Sequence, residues 1–427
     1  MALRGEFTPP GDKSVSHRLI LLSILADGEI MASGVSDGED IKNSLSIFKA
    51  LGGEVLGGGS RLTIKGLGGN VKFPADQVLD LDCGSSGTAI RLAGGILAGL
   101  PGQFLLDGDS QLRRRPMERL ADPLRQMGAR VETSSGHAPI NIKGGGLHGI
   151  EYVNSDSSAQ LKSAVILASL SAGSPSRIIE SIPTRDHTER MIGYFGGHIN
   201  ISGSQIDVAP SRLKLPDEIV IPADPSGAAF FLVGAAVIPD SLVTAKNILL
   251  SNSRIGYLKV LDRMGASVSI SLEQEKPEPS GNVTVEYTKP LQATEISAEE
   301  IPSLIDEIPI LSLAAACAQG VTVFRQVREL RYKETDRLTA IKHQLGALGG
   351  RVWVECDDLF IEGPTKAIMP ETLDSGHDHR IAMTMHMALA MAGKSIPVIG
   401  EDSISASYPN FKNDLAMLSG GQQPAAV

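Results

Sequence analysis

Six stretches of small and apolar residues recur along this chain, and each opens on polar side chains. They begin near Lys13-Ser14, Ser86-Gly87-Thr88, Ser157-Ser158, Asp224-Pro225-Ser226, Asp306-Glu307 and Asp378-His379-Arg380. Runs such as LILLSILA, AVILASLSA and MTMHMALAMA are apolar almost all round, so they predict buried helices. A second phrase keeps the same beat: Leu, Met or Phe, a Gly-Gly or Gly-Ala pair, one residue, then Val or Ile. It places glycines at 52, 128, 196, 265 and 349, with a truncated copy at Gly420. The helix before each glycine is amphipathic, as in Met117, Leu120, Leu124 and Met127, spaced at helical intervals. Glycine then ends it, because it accepts the left-handed conformation of a helix stop.

Alternating apolar positions follow, at Leu62/Ile64, Ile140/Ile142, Ile206/Val208, Val283/Val285 and Leu359/Ile361, and predict strands. Each repeat therefore reads as buried helix, strand, second helix, then one or two strands. The longest interval holds a polar insertion at 273–282, expected as an exposed loop. Two phrases sharing one period mark an internal repeat, and six copies divide into three per domain.

The length of 427 residues suits two such domains. With 42% hydrophobic and 21% charged residues, disordered and fibrous classes are excluded. A formal net charge of −10 argues against nucleic-acid binding as a bulk property, though not against a local basic pocket. Three cysteines without a Cys-x-x-Cys pair predict reduced thiols in a cytoplasmic protein. No signal-peptide core follows Met1. The longest apolar stretch, near 228–238, is well short of the roughly 18–20 residues of a membrane span. The tail 420–427 is expected to fray.

Helix starts attract anions, and here they carry side chains of matching chemistry. Lys13 and Arg18 flank Ser14 and Ser16, which fits phosphate or carboxylate binding, or a serine cap with a solvated lysine. Gly84-Ser85-Ser86-Gly87-Thr88 allows close backbone approach to a ligand, or is an ordinary cap. Arg113-Arg114-Arg115 before Pro116 opposes a helix dipole unless an anion binds, or is a solvated run. Ser157-Ser158 opens the next apolar helix, where Gln160 and Lys162 need partners, or the stretch is an ordinary cap. Arg185-Asp186-His187 opens the next helix, where His187 reads as a surface cap before an acid or base. Asp306 and Glu307 sit against an apolar helix and should meet a cation, donor or substrate hydroxyl, or are helix-start acids favoured by the dipole. Lys333 and Arg337 are four apart and would share a helix face, with Glu334 between them; an anion would relieve their repulsion, or the stretch is a salt-bridged surface helix. Zinc-protease, Walker, dinucleotide and nucleophile-elbow motifs are missing from the sequence, which disfavours hydride and nucleoside triphosphate chemistry.

The ordered phrases GDKSVSHR, GSSGTAIR, RRRPM, SSAQLKSA, TRDHTE, IDEIPIL, ELRYKETDRL and DHRIAM resemble 3-phosphoshikimate 1-carboxyvinyltransferases, the EPSP synthases, with class II-like features. The resemblance runs from about Pro9 to Phe411. It implies an α/β protein, a two-domain inside-out α/β barrel of six βαβαββ-type repeats. Domains of 12–222 and of 1–11 plus 223–427 are expected, with the active site in the interdomain cleft. The implied reaction joins phosphoenolpyruvate to shikimate 3-phosphate without metal or organic cofactor.

By the same resemblance, Lys13, Gly87, Thr88, Arg115, Gln160, Arg337 and Arg380 bind phosphoenolpyruvate. Lys13, Ser14, Arg18, Ser158, Gln160, Arg185, Asp306 and Lys333 bind shikimate 3-phosphate. Lys13, Asp306 and Glu334 are catalytic. A cytoplasmic monomer, inhibited by glyphosate and without nucleic-acid or membrane partners, is implied. Three positions depart from or vary within the family pattern: Ser85 replaces a common Asn, Ala406 stands where a late Lys is usual, and Gly87 is not the Ala of some glyphosate-tolerant members. The rivals are a transferase acting on UDP-N-acetylglucosamine, whose loop cysteine is missing from 107–117, and a non-catalytic anion-binding protein.

Overall fold

The computed structural model describes residues 2–71, 77–155 and 157–420, so most of the tail expected to fray lies outside the described residues. The chain forms two compact units, Gly11–Ile221 and Met1–Pro10 with Pro222–Val427. Twelve α-helices occur among the described residues. The unit of Gly11–Ile221 holds α1 (Lys13–Leu22), α2 (Glu39–Ala50), α3 (Gly87–Gly99), α4 (Glu118–Gln126), α5 (Ala159–Ser169) and α6 (His187–Tyr194). The other holds α7 (Pro225–Val237), α8 (Gly256–Arg263), α9 (Ile308–Cys317), α10 (Arg337–Ala347), α11 (His379–Ala392) and α12 (Phe411–Leu418).

The odd-numbered helices are the apolar ones, and they form the two cores. Every residue of α7 from Pro225 to Ala236 is buried. Asp224 caps this helix by accepting from Ser226 N, and Pro225 pre-sets its first turn. In the first unit α3 and α5 pack so closely that a side chain on Gly95 would stand 2.3 Å from the Ala164 carbonyl oxygen. The even-numbered helices bury one face. In α4, Leu120, Ala121 and Leu124 face inward, and Met117 and Met127 close its ends. The repeated glycines end these helices with positive φ: Gly52, Gly128, Gly196, Gly265, Gly349 and Gly420.

Each unit is inside-out, with sheets around its apolar helices. In the sheet Val78–Asp82, Gly102–Asp107, His137–Gly144 and Arg130–Ser134, the first pair is parallel and the rest antiparallel. The buried helix α3 connects the parallel pair. The strand His137–Gly144 buries Ala138, Ile140 and Ile142, the predicted alternation. Glu151–Val153, Ser176–Ile179, Gln205–Val208 and Ile199–Ser202 repeat this pattern, as do Glu295–Ile296, Gly320–Phe324, Asp358–Gly363 and Arg351–Glu355.

In two sheets the parallel edge comes from far away in sequence. Glu218–Val220 completes the sheet of Glu29–Ser33. Arg4–Phe7 completes the sheet of Leu242–Leu249. The sixth repeat is reduced to the pair Leu373–Asp374 and Val398–Ile399, and then runs into α12 without a hairpin.

Four local expectations change. Residues 273–282 are mostly hairpin: Ser267–Gln274 pairs with Ser280–Glu286, and Glu278 in the turn is buried. Asp12, rather than Ser14 or Ser16, caps α1 by accepting from Val15 N at 2.8 Å. Arg113 and Arg114 belong to a separate 3-10 turn, Leu112–Arg114, so the arginine run does not start α4. Lys333 is extended ahead of α10 and shares no helix face with Arg337.

Candidate active site

In the unit of Gly11–Ile221, the site residues cluster at the N-terminal turns of α1, α3 and α5. Lys13 opens α1, and its Nζ lies 2.8 Å from Asp40 Oδ2 in the first turn of α2. Arg18, one turn further, is buried. Its Nε donates to Thr188 Oγ1 at 2.7 Å, Nη2 to Ser163 Oγ at 2.9 Å and Nη1 to the Ser14 carbonyl at 3.0 Å. Three helices therefore fix one guanidinium, a rigid donor array suited to a phosphate.

Gln160 ties α5 to α3. Its Oε1 accepts from Arg91 Nη1 at 2.7 Å, and its Nε2 donates to Thr88 Oγ1 at 3.0 Å. Gly87 lets two cations approach this helix start, because a side chain there would meet Arg115 Nη1 at 2.4 Å and Arg91 Nη1 at 2.7 Å. Arg115 is only 9% exposed, and its buried Nε has no hydrogen-bond partner among the described residues. A buried, incompletely paired cation beside a helix N-terminus is arranged for an anion. Ser158 caps α5, and Arg185 stands just before Asp186, the cap position of α6.

Behind these residues lies a buried ion cluster. Lys162 Nζ sits 2.8 Å from Glu180 Oε2 and 2.7 Å from Glu189 Oε1. Burial raises the Glu189 pKa against the opposing pull of Lys162. His187 is fully buried, which corrects the expected surface cap.

In the other unit, Asp306 just before α9 gathers three cations. Its Oδ1 lies 3.3 Å from Lys333 Nζ, 3.1 Å from Arg337 Nη1 and 3.9 Å from Arg380 Nε. The anion expected to relieve Lys333 and Arg337 is thus a carboxylate of the protein itself. Arg337 is 1% exposed; its Nε donates to Asp378 Oδ2 at 2.8 Å and its Nη2 to Glu334 Oε2 at 2.6 Å. Burial alone would lower the Arg337 pKa, but Asp378, Glu334 and Asp306 outweigh it and hold it above its ordinary value. Arg380 donates to the Asp306 carbonyl at 3.3 Å. The cluster can hold an anion and offers two carboxylates, Asp306 and Glu334, on either side of one buried guanidinium. Ala406 ends a 3-10 turn, Glu401–Ala406, and Lys412 beyond it is paired with Glu401 at 2.8 Å.

Asp40, Arg91 and Ser163 stand in the site without being expected there from the sequence. Arg91 had a readable signal, a cation one turn into an apolar helix. Asp40 and Ser163 had none that separates them from ordinary helix residues.

A family model described as EPSP synthase (3-phosphoshikimate 1-carboxyvinyltransferase) matches residues 1–415. The 3-phosphoshikimate 1-carboxyvinyltransferase of Geobacillus kaustophilus is 40% identical over 423 residues, 98% of both chains. That of Desulforudis audaxviator is 43% identical over 421 residues, 97% of both. A solved EPSP synthase from Acinetobacter baumannii has a TM-score of 0.83 and 36% identity, covering 97% of this chain and 95% of its own. Sequence, helix-start chemistry and architecture converge: the chain belongs to the EPSP synthase family.

Proposed function

We infer that this chain transfers the enolpyruvyl group of phosphoenolpyruvate to the 5-hydroxyl of shikimate 3-phosphate. The products are 5-enolpyruvylshikimate 3-phosphate and phosphate, a step toward aromatic amino acids. Membership of the EPSP synthase family supports the reaction. The observation that carries the division of labour is the pair of carboxylates on Arg337, with Asp306 at 3.1 Å and Glu334 at 2.6 Å.

In this reading Asp306 accepts the 5-hydroxyl proton as that oxygen attacks C2 of phosphoenolpyruvate. Glu334, assisted by Lys13, donates a proton to the methylene carbon, which becomes a methyl group. The tetrahedral intermediate then loses that proton and expels phosphate, restoring the double bond. Lys13, Arg115, Arg337 and Arg380 hold phosphoenolpyruvate, with Gly87 and Thr88 lining its place and Gln160 touching both substrates. The buried Nε of Arg115 supports that assignment. Ser14, Arg18, Ser158, Arg185 and Lys333 hold shikimate 3-phosphate, joined by Lys13 and Asp306. The three-point hold on Arg18 supports a fixed phosphate contact. Fixed cations of this kind stabilise developing charge without reorganising, which is where such a site gains most of its rate.

The scheme uses neither metal nor organic cofactor. We further propose a monomer in the cytoplasm, inhibited by glyphosate through the phosphoenolpyruvate residues, with no nucleic-acid or membrane partner. The three free cysteines and the lack of any described helix long and apolar enough to cross a membrane are compatible with it. The deciding assay is phosphate release from phosphoenolpyruvate with shikimate 3-phosphate or UDP-N-acetylglucosamine as acceptor. Release with the first alone is expected, and its absence would overturn the reading.

A further inference from the structure

The reaction scheme leaves Glu307 without a role, yet its side chain is fully buried at the cap position of α9. Ser226, in the first turn of α7, donates to Glu307 Oε1. Arg380, in the first turn of α11, brings Nη1 to 3.8 Å from the same oxygen. One carboxylate oxygen at the cap position of α9 thus meets side chains from the first turns of two other buried helices, α7 and α11. Ser226 is itself held: its Oγ accepts from Arg254 Nη2 at 3.1 Å, and the same nitrogen lies 2.8 Å from Asp224 Oδ1, the cap of α7. Arg254 is 1% exposed.

A buried carboxylate needs polar partners, and Ser226 supplies a donor and Arg380 a cation to the same oxygen of Glu307. The contacts of Arg380 are long: 3.3 Å to the Asp306 carbonyl, 3.9 Å to Asp306 Oδ1 and 3.8 Å to Glu307. Among the described residues no close bidentate pair saturates this guanidinium, so most of its five donors stay available to a substrate.

We infer that Glu307, fixed through Ser226 by the Arg254–Asp224 pair, is the positioning residue of Arg380. Glu307 sets the aim of a phosphoenolpyruvate-binding cation without touching the substrate. The inference rests on the assignment of Arg380 to phosphoenolpyruvate made above.

The test is steady-state phosphate release by the full-length chain carrying Glu307→Gln, Glu307→Asp or Ser226→Ala, with each substrate varied in turn. In Glu307→Gln the KM for phosphoenolpyruvate should rise about tenfold while that for shikimate 3-phosphate stays within about twofold. Glu307→Asp should recover part of the loss. Ser226→Ala, which keeps the carboxylate, should shift the same KM in the same direction, and it carries the test if Glu307→Gln does not fold. An unchanged phosphoenolpyruvate KM in the folded variants, or equal rises for both substrates, would overturn the inference alone. No phosphate release by the unaltered chain would overturn the functional reading as well.

Discussion

The Arg115 guanidinium occupies the space that a side chain on Gly87 would need, since a methyl group there would lie 2.4 Å from Nη1. Arg115 is nearly buried, so it has little room to yield. Gly87→Ala should therefore displace Arg115 and raise the KM for phosphoenolpyruvate by about tenfold or more, with the fold intact. Substrate-dependence curves together with circular dichroism check this. An unchanged KM would remove Arg115 from phosphoenolpyruvate binding.

Glu334 and Asp306 hold Arg337 from two sides, and each is assigned a proton transfer. Glu334→Gln keeps a hydrogen-bond acceptor for Arg337 but loses the acid. Its turnover should fall by about 10²-fold or more, with shikimate 3-phosphate binding retained. Asp306→Asn should cost a comparable factor in kcat. Single-turnover kinetics with calorimetric binding separate chemistry from affinity, and full activity in either variant would strip that residue of its role.

Lys162 is the cation between Glu180 and Glu189, and both carboxylates are buried with it. Lys162→Met would leave two acids in a dry interior with their counter-charge gone. A loss of about 3–5 kcal/mol is expected, as for breaking a buried ion pair from one side. Glu180 retains Asn154 Nδ2 at 2.9 Å and Thr184 Oγ1 at 2.6 Å, whereas Glu189 loses its ion pair at 2.7 Å. Denaturant titration at pH 7 measures the loss. Wild-type stability would show that the cluster is not an energetic keystone of this unit.

His17 provides a pH dependence. Burial pushes its pKa from 6.5 down to about 3, and its Nδ1 lies 2.7 Å from Ser44 Oγ. Below pH 6.5 the unfolded chain takes up a proton that the folded ring refuses until about pH 3. Its contribution is therefore complete above pH 6.5 and is lost progressively as the pH falls toward 3. His17→Asn should flatten the decline of the melting temperature across that window. Parallel melting curves for both proteins would assign the acid sensitivity to other groups.

The helices are legible in the sequence because their signals are local: an apolar run, a polar start, a glycine stop. Partnerships are not. Ser14 and Ser16 are as suitable as Asp12 for capping α1, and only the contact from Val15 N distinguishes Asp12. Lys333 and Arg337 have helical spacing, yet Asp336 caps the helix just ahead of Arg337 and leaves Lys333 outside. They still converge, because Asp306 attracts both. Lys13 finds Asp40 twenty-seven residues away, and Arg254 finds Asp224 thirty residues away. Nothing in the spacing of those residues marks them as partners. His187 reads as a surface residue because its neighbours are polar, but the packing of α6 buries it.

The edge strands recruited from far along the chain impose an order on synthesis. Leu3 hydrogen-bonds to Ser241, 238 positions later, and Arg4–Phe7 pairs with residues 242–245. The strand Arg4–Phe7 must therefore wait for its partner through translation of the whole unit of Gly11–Ile221. That unit closes its own sheet only when Glu218–Val220 emerges. Closure of so long a loop is slow, and an unpaired strand edge invites aggregation in the meantime. The charged and glycine residues of Arg4-Gly5-Glu6 suit that interval, because they make the waiting strand a poor template for a stray one.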